Sequence, residues 1–393
     1  MKSKKQTYSS NNWKIGAAMI ANDSTFTIGV FVIFMLFIGL SLTEVSIVIS
    51  SYLILSSIGQ VPSGIFADRY GYKTSLVIGS LFFLGGTIFF AFAQNFYWFL
   101  AGYSLMGFGS AMKQGADHAL LYEGLKADEK QSSFKKVVGK LDLYTNIFWV
   151  VTAISGGFLY SINERLPFYA EIALVIISIL IIITAREPKK ESKHFPVWTH
   201  VKNSMKQAFQ TPNFSKIFVF SALIGSIALT TFQYLQPLYK SLEINETYFG
   251  LIAAGAFVVR GLGAWSAEKV GKMFAIDKYM VLHASIFGLF LILLQKTSAL
   301  FFIFPILAVF YFLRGLYAPT VSTYINDKVD SSNRATMLSV NSQLLTIVTS
   351  VSLLFAGYIA DRYDLSTTFF AISISSIFFL ILYVISLRKV EAD

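Results

Sequence analysis

The chain has 393 residues, of which 55% are hydrophobic and 14% charged. Its mean hydropathy of +0.60 exceeds what one water-soluble core can hide, which excludes a soluble enzyme. The net charge of +10 would suit a nucleic-acid binder only if the basic residues formed one patch, and the absence of cysteine excludes disulfides, thiolate chemistry and cysteine-based metal sites.

An apolar run of about 20 residues crosses a hydrocarbon layer of about 30 Å. Segments such as 26–40 (FTIGVFVIFMLFIGL) are apolar on every side, which marks helices rather than the alternating strands of a barrel. Read between polar breaks, the chain predicts an all-α integral membrane protein of twelve transmembrane helices. They fall at 15–40, 45–67, 74–93, 97–124, 137–161, 167–185, 215–239, 248–267, 278–294, 299–325, 335–360 and 365–387. Both termini then lie on one side of the membrane. That side carries 25 of the 32 Lys and Arg; Arg165, Lys240, Lys296 and Arg362 lie opposite, and Lys113, Arg260 and Arg314 fall within spans. The positive-inside rule therefore predicts cytoplasmic termini, and the basic charge is spread over short segments facing an anionic leaflet rather than nucleic acid. The first apolar run is too long for a cleavable signal.

The chain repeats after 200 residues. Asp68-Arg69-Tyr70-Gly71 matches Glu268-Lys269-Val270-Gly271, Gly157 matches Gly357, Gly115 matches Gly315 and Ser132 matches Ser332. The repeat predicts two pseudo-symmetric six-helix bundles, residues 1–185 and 215–393, joined by a cytoplasmic linker at 186–214. Within the linker, Val197, Val201, Met205 and Phe209 at helical spacing, with Lys202 and Lys206 between them, predict a helix lying along the inner membrane surface.

The segment Gly64-Ile-Phe-Ala-Asp68-Arg69-Tyr-Gly71-Tyr-Lys73 resembles the signature loop of the major facilitator superfamily, departing from it at Tyr72, where the family usually has a basic residue. Gln60-Val-Pro62-Ser-Gly64 and Arg334-Ala-Thr-Met-Leu-Ser339 resemble bacterial exporters of that superfamily. The resemblance implies the major facilitator fold, and a cytoplasmic gate at Gly64, Asp68, Arg69, Gly71 and Lys73. Physically, Gly64 permits a close helix approach, Asp68 can cap the following helix, and Gly71 supplies a turn that a side chain would oppose. The arginine motif common in the fourth helix of proton-coupled drug antiporters is missing, with Tyr103 in its place. No ATP-binding loop is present, since Gly71-Tyr72-Lys73-Thr74 lacks the required glycines, and the histidines show no metal-ligand spacing. No metal or cofactor is expected.

Ionisable residues inside spans are costly unless they face a cavity or a partner. At about 1.5 Å per residue, Asp23 and Asp117 lie about 10 to 12 Å from the cytoplasmic side, and Lys113 and Arg314 at about 16 Å. The resemblance implies that helices 1, 4, 7 and 10 line a central cavity, and these four residues fall on three of them. Asp23 and Asp117 are the proton-coupling candidates. Lys113, Arg314, Arg260, Gln233, Tyr234 and Gln236 are the substrate-binding candidates, with Pro237 expected to break helix 7. Lys113 and Asp117, four apart, are alternatively a structural ion pair. His118, turned about 100° from Asp117, reads as a packing residue.

The expectation is a proton-coupled transporter that exports small organic molecules from a bacterial cytoplasm by alternating access, as a monomer in the cell membrane. The rivals are an organic-anion transporter centred on Lys113 and Arg314, and a lipid-handling or sensor protein on the same fold. No nucleophile, base and oxyanion-donor set suggests an enzyme.

Overall fold

The structure, a computed structural model, describes residues 9–188, 212–296, 300–329 and 334–392. They form fourteen α-helices and no strand: α1 (Ser9–Asp23), α2 (Phe31–Phe37), α3 (Leu42–Tyr70), α4 (Tyr72–Ala91), α5 (Phe96–Lys113), α6 (Ala116–Ala127), α7 (Phe134–Ile162), α8 (Leu166–Thr184), α9 (Pro212–Ser241), α10 (Thr247–Met273), α11 (Ile276–Lys296), α12 (Leu300–Lys328), α13 (Arg334–Arg362) and α14 (Leu365–Ala392). Ten of these are long and apolar enough to cross a membrane. The other four correct the expected count, because spans 15–40 and 97–124 are each two helices. The first divides into α1 and α2 around Ser24–Val30, the second into α5 and α6 around Gln114–Gly115.

A second correction concerns Pro237. The helix was expected to break there, but α9 runs through it to Ser241. The expected surface helix around Val197–Phe209 lies outside the described residues.

Contacts group the chain into two compact units. The first holds the residues up to Leu40, those from Ser51 into the linker, and Asn245–Ala254; the second holds Ser41–Ser50, α9 and the residues from Gly255 onward. In the first unit, one end closes on Ile15, Leu76, Leu120, Leu121, Leu125 and Ile182, drawn from α1, α4, α6 and α8. The 200-residue repeat is also a repeat of packing. In the first unit, a side chain at Gly157 would meet Thr247 O and Gly250 N, both at 2.8 Å; in the second, one at Gly357 would meet Ser46 Oγ at 2.6 Å and Leu42 O at 2.9 Å. Each unit thus uses a glycine late in a long helix to admit the first turn of another.

Two signature-loop expectations are overturned. Asp68 sits inside the last turn of α3 and does not cap α4. The freed amides of Tyr72 and Lys73 instead donate to Glu187, at 2.5 and 3.2 Å, from just beyond α8. Gly71 stands at the N-cap with φ of 100°, the left-handed region a side chain opposes, and a Cβ there would meet Glu187 Oε2 at 2.6 Å. Gly64 admits no close neighbour, since outside its own stretch of helix no atom of the described residues lies within 4 Å of where its Cβ would be.

Candidate functional site

Hydrocarbon offers no water to backbone groups freed by a broken helix, so each break must supply its own partners. The first break, after Asp23, falls within the polar run Asn22-Asp23-Ser24-Thr25, which competes with helical hydrogen bonding. Ser24 bonds back to Ile20 O through its amide (3.0 Å) and its hydroxyl (2.7 Å). The Asp23 carbonyl accepts the Trp149 indole N–H of α7 at 2.5 Å. Ser178 of α8 donates to Ala18 O at 3.0 Å.

Beyond the break lies a carboxylate that sequence reasoning missed. Glu171 of α8 is 2% exposed, and its Oε2 accepts from Thr25 Oγ1 at 2.6 Å and from Thr27 Oγ1 at 2.8 Å. A lone acid in the otherwise apolar run 166–184 was the signal that could have found it.

The second break uses Gly115, whose φ of 83° begins α6 in the left-handed conformation. The carbonyls exposed at the end of α5 are met by serines. Ser63 of α3 donates to Ala111 O and Ser75 of α4 to Met112 O, both at 2.7 Å. Gln60 Nε2 of α3 holds Gln114 Oε1 at 2.8 Å. The break means that Lys113 and Asp117 no longer share one helical face, and neither forms an ion pair among the described residues. The Lys113 ammonium instead lies 4.0 Å from the centre of the Phe83 ring, a cation–π contact.

Both breaks open on one small cleft, continuous with solvent, lined by Met19, Asn22, Asp23, Leu76, Lys113, Asp117 and Ile182. Asp23 is exposed to it, while Lys113 and Asp117 are half-buried. The positive charge of Lys113 acts on Asp23, Asp117 and Glu171 together. Asn22 adds an amide oxygen that is buried without a hydrogen-bond partner. Two carboxylates around one ammonium and a free acceptor can exchange protons and attract a cation. His118 is exposed rather than packed, its backbone amide donates to Asp117 Oδ1 at 2.6 Å, and its charge acts on Asp23. Among the described residues, no group of three or more acidic, histidine or cysteine side chains is placed to hold a metal.

The remaining candidates lie in the second unit. The Arg314 guanidinium of α12 stacks 4.1 Å from the centre of the Phe232 ring of α9. Next to Phe232 on α9, Thr230, Thr231 and Gln233 each have a buried oxygen without a partner among the described residues. Tyr234 is 2% exposed, and its hydroxyl meets Ser46 Oγ at 2.8 Å and Leu353 O at 3.3 Å. Gln236 is also buried. Arg260 of α10 is half-buried, and its charge acts on Arg314. In the signature loop, Asp68 and Arg69 are exposed, and Lys73 Nζ donates to Ile183 O at 2.7 Å.

Broken helices whose freed ends surround ionisable groups, in an otherwise all-helical apolar chain, define a class of membrane transporter. The chain belongs to the Major Facilitator Superfamily, whose family model matches residues 15–352. It is 25% identical over 340 residues to the uncharacterized MFS-type transporter YxaM of Bacillus subtilis, covering 83% of each chain. It is 24% identical over 331 residues to Multidrug resistance protein 1 of the same organism, covering 82% of each. Among solved structures, a bacterial homolog of the human lysosomal transporter Spinster, inward-facing and unoccupied, superposes with a TM-score of 0.80 at 14% identity over 98% of both chains. That likeness bears on the fold alone.

Proposed function

We propose that this chain is a proton-coupled exporter of small organic molecules, working by alternating access in a bacterial plasma membrane with both termini cytoplasmic. The observation that carries the reading is the convergence of Asp23, Lys113 and Asp117 on one cleft at two helix breaks. A carboxyl that loses water takes up a proton, and one approached by a cation releases it, so cleft opening and substrate binding each change its charge. Each proton moving inward supplies about 2.3 kcal/mol per 100 mV and about 1.4 kcal/mol per pH unit. Likeness to a protein named for multidrug resistance supports export of organic molecules. In this reading Asp68 and Arg69 of the signature loop make gate contacts that form and break during the cycle.

The test is reconstitution into sealed vesicles with a fluorescent lipophilic cation, ethidium, as the probe. Wild type should drive ethidium uphill against an imposed proton gradient and move protons when ethidium is added. Asp23→Asn should abolish uphill movement while ethidium exchange survives. Normal uphill transport by that variant would remove Asp23 from the coupling, and a wild type that moves no protons would remove the coupling itself.

A second reading has its own observation. Arg314 lies against Phe232 beside three unpartnered oxygens of α9, a setting that suits an aromatic carboxylate with hydrogen-bond donors. The aromatic carboxylate 4-hydroxybenzoate should then stabilise the wild type against heat, and Arg314→Gln should lose that stabilisation. Stabilisation by ethidium alone would favour the first reading.

A further inference from the structure

Glu171 is a buried acid that the coupling scheme above leaves unused, and its surroundings set a counting problem. Glu171 Oε2, Thr25 Oγ1 and Thr27 Oγ1 form a triangle with edges of 2.6, 2.8 and 2.9 Å. All three edges are at O–H···O hydrogen-bond length. Each such edge needs one hydrogen, and the two threonines bring two. The Thr27 amide donates to Thr25 Oγ1 at 3.2 Å and also acts on the Glu171 carboxyl, but it lies along none of the three O···O edges and so does not supply the missing hydrogen. An ionised Glu171 would leave two lone pairs facing each other across the third edge. A protonated Glu171 completes the ring with three hydrogens for three edges.

We propose that Glu171 binds a proton in this arrangement and is a second proton-carrying residue of the transport cycle, locked to the first helix break by Thr25 and Thr27. The cycle role rests on the proton-coupled reading; the bound proton does not.

The neighbouring charges fit this assignment. Lys113 and Tyr103 of α5 act electrostatically on Glu171, and Asp23 stands at the other end of the break. From α4, Lys73 is at the first turn, whereas the start of α8 lies beside the far end, where Arg165 donates to Ala91 O and to Ala93 O. On α7, Lys135, Lys136, Lys140 and Asp142 lie in the first ten residues, and Glu171 lies five residues after the start of α8, just past the other end of α7. Glu164, in the α7–α8 turn, acts on Tyr160. When the break rearranges and the Thr25–Thr27 edge parts, the Glu171 O–H bond breaks and its proton passes to a water oxygen. The carboxylate left behind keeps both threonine donors and gains from the positive charge of Lys113, so the step balances without a further reactant.

Infrared difference spectroscopy on the purified protein tests the bound proton without any substrate. Wild type at about pH 7 should show the C=O stretch of a protonated carboxylic acid, lost in Glu171→Gln and retained in Asp23→Asn. Thr27→Val should shift that band's frequency or remove it, because it takes one hydrogen bond from the carboxyl and opens the ring. A spectrum unchanged by Glu171→Gln, or a band present but insensitive to Thr27→Val, would overturn the proposal. In vesicles, Glu171→Gln should keep ethidium exchange while losing gradient-driven accumulation at least about tenfold, or about 1.4 kcal/mol. Undiminished accumulation with an unchanged pH profile would remove Glu171 from the cycle. If wild type moves no protons, the exporter reading fails while the infrared result still decides whether Glu171 holds one.

Discussion

The first and fourth spans of the first unit break, while the corresponding helices of the second unit, α9 and α12, run unbroken for 30 and 29 residues. The contrast is opposite to what helix propensity dictates. Pro237, Pro305 and Pro319 all lie in the unbroken helices, and neither broken span contains a proline. At the breaks the freed groups have partners: an indole N–H for the Asp23 carbonyl, serine hydroxyls for Ala111 and Met112, and two threonines bonded to Glu171. In a membrane, the interior of a helix gives way where freed backbone groups are met, rather than where a residue merely disfavours the helix. The first unit therefore gathers Asp23, Lys113 and Asp117 at helix ends, and the second keeps Arg260 and Arg314 inside continuous helices.

The largest effect should follow from filling the space beside the first break. A Cβ on Gly156 of α7 would run into the Phe26 carbonyl of the break, and backbone on both sides cannot yield. Gly156→Val should cost about 3 kcal/mol or more and abolish transport, read as lost thermal stability and lost uptake. Gly357→Ala, the neighbouring position of the repeat in the second unit, first meets Ser46 Oγ, a side chain that can rotate, and should cost less. Equal losses at the two sites would break the comparison. Next in size is Trp149→Phe, which leaves the Asp23 carbonyl without its donor. It should lower stability by about 1 to 3 kcal/mol and slow transport while leaving the aromatic packing in place.

Sequence patterning made most of this architecture readable, because charged residues stand out in apolar spans and the repeat needs only counting. Asp23, Lys113 and Asp117 were found that way, and one cleft holds all three. The breaks were harder to see. Asn22-Asp23-Ser24-Thr25 and Gln114-Gly115 were visible cues, but a hydropathy window averages four polar residues into a span of twenty. Glu171 was overlooked because its place near one end of a span resembles an interfacial residue, when its threonine partners lie 144 and 146 residues away. The cap on α4 was unreadable for a similar reason. Asp68 is close in sequence, but Glu187 reaches the helix start from 115 residues away.

Smaller effects separate the two kinds of helix interruption. Gly115 holds φ of 83° at the second break, so Gly115→Ala should cost about 1 to 2 kcal/mol and slow transport, because the conformation itself is strained for alanine. Pro237→Ala is the opposite experiment. Proline inside a helix removes the bond from its own nitrogen to the carbonyl four residues earlier, here that of Gln233, and its ring crowds that carbonyl. Alanine restores the bond without changing the path of α9, which is already helical on both sides. Transport should stay within about twofold of wild type, and the unfolding midpoint should hold or rise. A large loss of transport would mean that α9 bends at Pro237 during the cycle, and the second unit would then have a moving joint of its own, made by a missing donor rather than by a break with bonded ends.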